Sequence, residues 1–332
     1  MDEENPNHIS YETENSFLKV LYIRLFGYPF QLLIHFFLKL IQLFIPKRKK
    51  SLKNEIVLIT GAASGIGKLM AYKFAAQGAK LIVCWDINEK ANKETVDNLL
   101  TEGYNAIGFK CDLSRKEDVY LVAENTKNLV KLFLKDEKAF VSILVNNAGV
   151  VPCGGKSLLE CSDDLIELTM KVNCLSHFWT IKSFLPEMLK NSRGHITTIS
   201  SVAGLAGNPG LVDYCSSKYA TVGLTESLFM EIKKKQSKVK CTLICPFLIN
   251  TGMFEGMRNY FSWVIPTLDP AEVADRVILA VRRDEYLVIM PRILVLVYYL
   301  KPILGINMLY RIGKILKIHT AMDNFIGRKE KV

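Results

Sequence analysis

Short apolar runs alternate with amphipathic stretches from Ser51 to Met290. The apolar runs Glu55–Thr60, Lys80–Trp85, Ala106–Lys110, Ile143–Val145, His195–Ile199, Lys240–Cys245 and Leu287–Met290 read as strands. Segments of helical spacing fall between them, among them Gly67–Gln77, Glu89–Glu102, Asp163–Lys190 and Ala220–Lys235. Such alternation predicts a parallel sheet covered on both faces, because parallel neighbours need a crossover helix. The expected fold is therefore α/β, a Rossmann-type doubly wound parallel sheet of about seven strands, with apolar N- and C-terminal extensions. No internal repeat or low-complexity tract interrupts it.

The two ends carry a different pattern. Phe17 to Pro46 is almost wholly apolar, yet no uncharged run reaches the roughly 20 residues of a comfortable transmembrane helix. After Pro29 the polar positions are Gln31, His35, Lys39 and Gln42, a spacing that gathers them on one helical stripe. A helix lying in a membrane interface fits that stripe. A tilted span with Lys39 snorkelling, or a helix packed on the domain or a dimer partner, fits the same residues. A secretory signal fits poorly, because the preceding residues are acidic and no small-residue cleavage site follows Ile45. A second apolar region, Tyr286 to Ile318, is broken by Pro291, Pro302 and Gly305. It reads as a membrane-touching flap, a substrate lid or a core helix.

Composition narrows the class. Hydrophobic residues are 49% and charged residues 23% of 332 residues, which excludes a disordered chain and a disulfide-stapled miniprotein. The net charge of +10 is unevenly placed. Acids alone precede Phe17, Lys47-Arg48-Lys49-Lys50 follows the first apolar segment, and the last thirty or so residues are basic again. Basic groups flanking apolar segments suit a membrane surface better than nucleic acid. If the first segment spans, the cluster after it places the main domain on the cytoplasmic side. Eight cysteines without a CxxC pair, several in strand-like runs, read as reduced buried thiols. The scattered histidines give no metal site.

The first strand runs into Thr60-Gly61-Ala62-Ala63-Ser64-Gly65-Ile66-Gly67 and then a helix. Glycines in that context let the backbone turn tightly and approach a pyrophosphate on the helix N-terminus. The spacing is GxxxGxG and not GxGxxG. Asp86 ends the second strand, where a carboxylate accepts hydrogen bonds from ribose hydroxyls and repels a 2′-phosphate. Ser64, Ile87 and Asn88 offer that phosphate no positive charge, so NAD is expected and not NADP. The plainer alternative is that Asp86 caps the next helix. Asp112-Leu113 closes the third strand, with Asp112 suited to an adenine amino group. Asn147-Ala148-Gly149 closes the fourth, with small side chains that let the cofactor lie close.

Tyr214 and Lys218 stand four apart on an expected helix, which stacks them on one face. An ammonium near a phenol favours phenolate and lowers a pKa that is ordinarily ~10. Tyr214 then suits proton transfer from an alcohol while hydride leaves for nicotinamide, and Lys218 also suits the nicotinamide ribose. Ser201 ends the fifth strand and suits the substrate oxygen better than Ser200 does. The Asn173 amide suits a water that links Lys218 to solvent.

With these motifs in this order, the chain resembles the short-chain dehydrogenase/reductase family over roughly Ser51 to Met290. Its Cys245-Pro246-Phe247, Thr251–Gly256 and Ala321-Met322-Asp323 resemble the membrane-associated retinol and 17β-hydroxysteroid dehydrogenases within it. Phe247 replaces the glycine usual after that proline, a departure the subgroup shares. The resemblance implies catalysis by Asn173, Ser201, Tyr214 and Lys218. It implies NAD held by Gly61, Ser64, Gly65, Ile66, Gly67, Asp86, Asp112, Leu113, Asn147, Ala148, Gly149 and Thr251 with Tyr214 and Lys218. The substrate would meet Ser201, Val151, Phe247 and Met253. It implies oxidation of a lipophilic alcohol, all-trans-retinol or a 17β-hydroxysteroid, on the endoplasmic reticulum or a lipid droplet, the domain facing the cytosol. A homodimer is expected. A scaffold of the same fold without turnover is the alternative of another class. The expected layout is an acidic leader with an apolar membrane helix in 1–50, the NAD-binding catalytic domain in 51–290, and an apolar-basic extension in 291–332.

Overall fold

The computed structural model describes residues 30, 31, 33, 34 and 48–327. Phe30, Gln31, Leu33 and Ile34 are helical and exposed. His35, Lys39 and Gln42, and with them most of the expected polar stripe, lie outside the described residues. Backbone contacts divide the chain into two units, Met1–Lys49 and Lys50–Val332.

In the second unit, seven strands form one parallel sheet. They are β1 Ile56–Thr60, β2 Leu81–Asp86, β3 Ala106–Lys110, β4 Ile143–Asn146, β5 His195–Ile199, β6 Lys240–Pro246 and β7 Leu287–Met290. Their order is β3-β2-β1-β4-β5-β6-β7. The connecting helices are α1 Gly65–Ala76, α2 Glu89–Thr101, α3 Lys116–Leu134, α4 Asp163–Met170, α5 Ser176–Lys190, α6 Val212–Lys234 and α7 Pro270–Arg282. All five residues of β1 are buried. Val57 and Ile59 pack with Phe74 of α1 and Val277 of α7. Ile56 and Leu58 pack on the opposite side, with Val119 of α3, Phe184 of α5 and Leu228 of α6. Burial on both faces is why the strands read as continuous apolar runs. The strand order reverses between β1 and β4, which opens a crevice at the carboxyl ends of those strands.

Two helices differ from the sequence expectation where they matter. The stretch expected as one helix over Asp163–Lys190 is interrupted by a π turn, Lys171–Leu175, that holds Asn173. The helix expected from Ala220 begins at Val212. Its first turns bury Asp213, Ser217, Lys218 and Thr221, polar residues that erase the apolar periodicity.

The C-terminal apolar region forms α8, Val295–Ile315. None of its residues is buried, which overturns the core-helix alternative. Arg292–Ile315 is long and apolar enough to cross a membrane by composition. Gly305, at φ 69° and ψ 166°, breaks it into two arms. Each arm is on the order of 15 Å long at 1.5 Å per residue, half the ~30 Å of a hydrocarbon core. Cys153 and Cys161 are joined as a disulfide, which corrects the expectation of wholly reduced thiols. The loop after β4 folds back to set their Cα atoms 5.7 Å apart, an ordinary bridging distance that spacing alone does not reveal. The other six cysteines are free and buried.

Candidate active site

A cavity of about 580 Å³ opens at the carboxyl ends of the strands. At one end β1 delivers the glycine loop. Gly61 and Gly65 have φ of 68° and 55°, a region that disfavours other residues. A Cβ on Gly67 would lie 1.9 Å from the Gly61 carbonyl oxygen, so no side chain fits there. Ser64 is the N-cap of α1, but its side chain caps no helix amide. Ser64, Gly65, Ile66 and Gly67 all line the cavity, so the positive end of α1 faces into it.

Asp86 lines the same end. Its Oδ2 accepts from the Ala63 amide and its Oδ1 from the Asn88 amide, both at 2.9 Å. The carboxylate thus ties the glycine loop to β2 and keeps acceptor lone pairs for a ligand. It does not cap α2: that is Asn88, whose side chain accepts from the Ala91 amide. Asp112 and Leu113 extend this wall, with Asp112 Oδ1 taking the Ser114 amide and hydroxyl. Asn147 Nδ2 donates to the Thr60 carbonyl at 2.9 Å and ties β4 to β1. The Thr60 hydroxyl, unremarkable in sequence, accepts from the Asn147 and Ala148 amides. Gly149 passes close to Lys218, whose Nζ would be 3.6 Å from an added Cβ.

At the other end stand Ser201, Tyr214 and Lys218. Ser201 Oγ accepts from the Ala203 amide and donates to the Pro246 carbonyl. The Ser200 hydroxyl is instead spent on the Lys218 carbonyl. Lys218 Nζ donates to the Ile199 carbonyl at 3.0 Å and sits 5.6 Å from the Tyr214 ring centroid. Burial pulls the Lys218 ammonium down to about 8. Burial pushes the Tyr214 phenol above its ordinary value, and the Ser201 hydroxyl opposes this. The expected depression of the phenol by Lys218 is therefore not present in the protein alone. The ammonium is turned to a backbone carbonyl in a desolvated site, and desolvation dominates the phenol.

Thr251, Met253 and Phe247 lie on the cavity wall after β6. Val151 is buried behind the wall with Leu211 and Tyr214. Asn173 is fully buried and away from the cavity surface. Its Oδ1 accepts from the Val150 amide at 2.7 Å. Its Nδ2 donates to the Val150 carbonyl and to the Ser217 hydroxyl, which commits both amide hydrogens. A water would have to bind its remaining acceptor lone pair or the carbonyls that a π turn leaves out of register.

Other wall residues carried little signal in the sequence. Leu168 and Val172 stand four apart, and Phe254 packs its edge on Tyr214 at 5.5 Å between centroids. Among the described residues, one group has side chains close enough to share a metal ion: Cys153, Cys161 and Asp213. The two sulfurs are bonded to each other, and Asp213 accepts from the Thr169 hydroxyl at 2.7 Å.

The chain is similar to known proteins in sequence and in fold. The family model described as short chain dehydrogenase matches residues 55–260. Epidermal retinol dehydrogenase 2 of Homo sapiens is 42% identical over 290 residues, covering 87% of this chain and 90% of that protein. Estradiol 17-beta-dehydrogenase 11 of Pongo abelii is 41% identical over 292 residues, covering 88% and 92%. Retinol dehydrogenase 10 of Homo sapiens is 36% identical over 337 residues, covering 93% and 96%. A short chain dehydrogenase/reductase from Burkholderia phymatum, solved with NAD, superposes with a TM-score of 0.66 at 28% identity, covering 77% of this chain and 95% of that one. A metagenomic short-chain oxidoreductase solved with NADP has a TM-score of 0.59 at 26% identity, covering 72% and 97%.

Proposed function

Because the chain belongs to the short chain dehydrogenase family, we propose that it is an NAD-dependent oxidoreductase that oxidises all-trans-retinol to all-trans-retinal. A 17β-hydroxysteroid is the second reading, supported by its similarity to an estradiol dehydrogenase. One observation carries the proposal: the glycine loop, Asp86, Ser201, Tyr214 and Lys218 line a single cavity.

The residues present fit the dinucleotide. The N-terminus of α1, with Gly67 leaving no room for a side chain, suits a pyrophosphate. The solved relatives include one with NAD and one with NADP, so the fold leaves the choice open. Asp86 favours NAD, since its carboxylate would oppose a 2′-phosphate and Ile87 beside it is apolar and exposed. Asp112 and Leu113 would border the adenine, Thr251 the carboxamide, and Lys218 the ribose next to it.

When bound, NAD supplies the hydride acceptor and a positively charged ring. With that ring and the Lys218 ammonium favouring phenolate, the deprotonated Tyr214 oxygen would take the carbinol proton, and the Ser201 hydroxyl, turned from the Pro246 carbonyl, would donate a hydrogen bond to the same oxygen. Lys218, buried and cationic below about 8, holds positive charge behind the phenol. Val172, Phe247, Met253 and Phe254 exclude water and favour an apolar substrate skeleton.

The same reading places the enzyme on a membrane or lipid droplet, with the endoplasmic reticulum its setting and the sheet domain facing the cytosol. The apolar segment 17–46 and the arms of α8, none of whose residues is buried, support it. Assembly as a homodimer belongs to this reading. The test is turnover by membrane preparations with NAD, offered retinol and estradiol side by side. NADH formed with retinol supports the proposal, NADH formed with estradiol alone supports the second reading, and none with either overturns both.

A further inference from the structure

The chain returns to the active site after α8. Residues 321–327 pack against two segments near Tyr214, and glycines make the closest of these contacts. A Cβ on Gly154 would lie 2.5 Å from the Phe325 ring, one on Gly155 2.9 Å from the Met322 carbonyl, and one on Gly256 2.0 Å from the Asn324 carbonyl. Gly154 and Gly155 belong to the loop after β4, and Gly256 to the segment after β6. Backbone bonds fasten the tail to that last segment. Ile326 and Gly327 donate to the Glu255 carbonyl at 2.8 and 3.1 Å, and Arg258 donates to the Ala321 carbonyl at 2.9 Å.

The side chains continue inward. Met322 is buried in one apolar cluster with Val151, Leu211 and Tyr214. Phe325 stacks edgewise on Phe254 at 6.2 Å, and Phe254 edgewise on Tyr214 at 5.5 Å. Phe254 lines the cavity; Phe325 stands behind it.

We propose that residues 321–327 are a strap that holds the segment 251–258 over the cavity, and that Phe325 is a positioning residue which sets Phe254 against Tyr214 and so fixes the wall that grips the apolar skeleton of the alcohol. The substrate class rests on the function proposed above; the strap itself does not. The strap also ties α8 to the catalytic wall, since the tail follows that helix after a single short turn, Ile318–Thr320.

The first measurement needs no substrate. In the full chain, Phe325→Ala removes the ring and Gly154→Ala displaces it. Each is expected to speed amide hydrogen exchange across 251–258 by about tenfold, with the sheet strands unchanged. Phe325→Leu, which keeps an apolar contact, restores slow exchange and guards against a folding artefact. Unchanged exchange at 251–258 in both variants overturns the strap. The second measurement compares retinol with prenol, a short allylic alcohol without the long skeleton. Either variant should raise KM for retinol by about tenfold with kcat within about twofold, leaving kcat/KM for prenol unchanged. The double variant should be no worse than the worse single one, because both act through one ring. Equal losses with both alcohols, or additive effects, would reduce the tail to a general stabiliser. Wild-type protein that turns over neither alcohol defeats the proposed function and leaves the exchange result to decide the strap.

Discussion

The residues proposed for the chemistry stand out in the sequence because chemistry restricts them to few types at fixed spacings. Asp86 is the clearest case: its position at the end of β2 predicted a carboxylate at the cofactor end of the crevice, and it lines the cavity there. Asp86→Ser with Ile87→Arg is expected to shift the ratio of kcat/KM from NAD toward NADP by at least about tenfold. Initial rates with each cofactor check this, and a wild-type enzyme that already prefers NADP contradicts it. The protonation states were not legible. A YxxxK pair suggests a depressed phenol, yet Tyr214 is raised by burial and Lys218 is lowered to about 8. Burial is a property of the whole fold, which local spacing does not encode. The Lys218 charge in the free protein is present below about 8 and lost above it. NAD affinity should therefore weaken as pH rises through that value, and Lys218→Met should be weaker but flat across it, as read by fluorescence titration.

At the scale of elements, all seven strands were visible as short apolar runs because both faces of the sheet are covered. What failed were the places where polar residues are buried. The π turn around Asn173 and the first turns of α6 carry hydrogen-bonded polar side chains facing inward, against the apolar pattern. The start of β5 also buries a polar residue, although that strand has the bounds expected from the sequence. His195 is buried there: Lys50 Nζ donates to its Nδ1 at 2.8 Å, and its Nε2 lies 2.7 Å from the Thr242 hydroxyl. That hydroxyl donates onward to the Glu285 carbonyl, so Nε2 must be the donor and the ring neutral. Burial lowers His195 to about 4, against 6.5 for a free ring. Between those values the unfolded chain binds a proton that the folded chain does not, so stability falls as pH drops from 6.5 toward 4. At full extent this one ring accounts for on the order of 3 kcal/mol. Buried His177, lowered to about 3, acts in the same direction. Urea midpoints at pH 7 and pH 4.5 should differ less in His195→Gln than in wild type. An identical difference would mean that His195 does not carry the acid sensitivity.

The whole molecule joins a nucleotide-binding sheet to apolar ends, and the ends were the least legible part. Proline, glycine and apolar residues between 291 and 318 fit three readings in sequence, and the lack of any buried residue in α8 removes the core helix from them. The strap at 321–327 showed in the sequence only as the Ala321-Met322-Asp323 resemblance, and its packing was not legible because its partners lie more than 60 residues away in the chain. Burying several large apolar side chains, each worth about 1.5–3 kcal/mol, exceeds the roughly 1 kcal/mol from each basic residue near an anionic surface. High salt is thus not expected to release the protein from membranes. Deleting 17–46 should release part of it, and adding Ile303→Glu and Ile306→Glu on exposed α8 should release the rest, as read by membrane fractionation. Full release by the deletion alone would leave α8 without a membrane role. The central claim is that Tyr214 moves the carbinol proton of a lipophilic alcohol in an NAD-linked oxidation. It is tested most directly by measuring retinal and NADH formed from retinol by the wild type and by Tyr214→Phe, with NAD binding followed in parallel. Equal amounts of retinal and NADH from the wild type, no detectable turnover by the variant and unaltered NAD affinity are the predicted result. Turnover by Tyr214→Phe near the wild-type rate would contradict it.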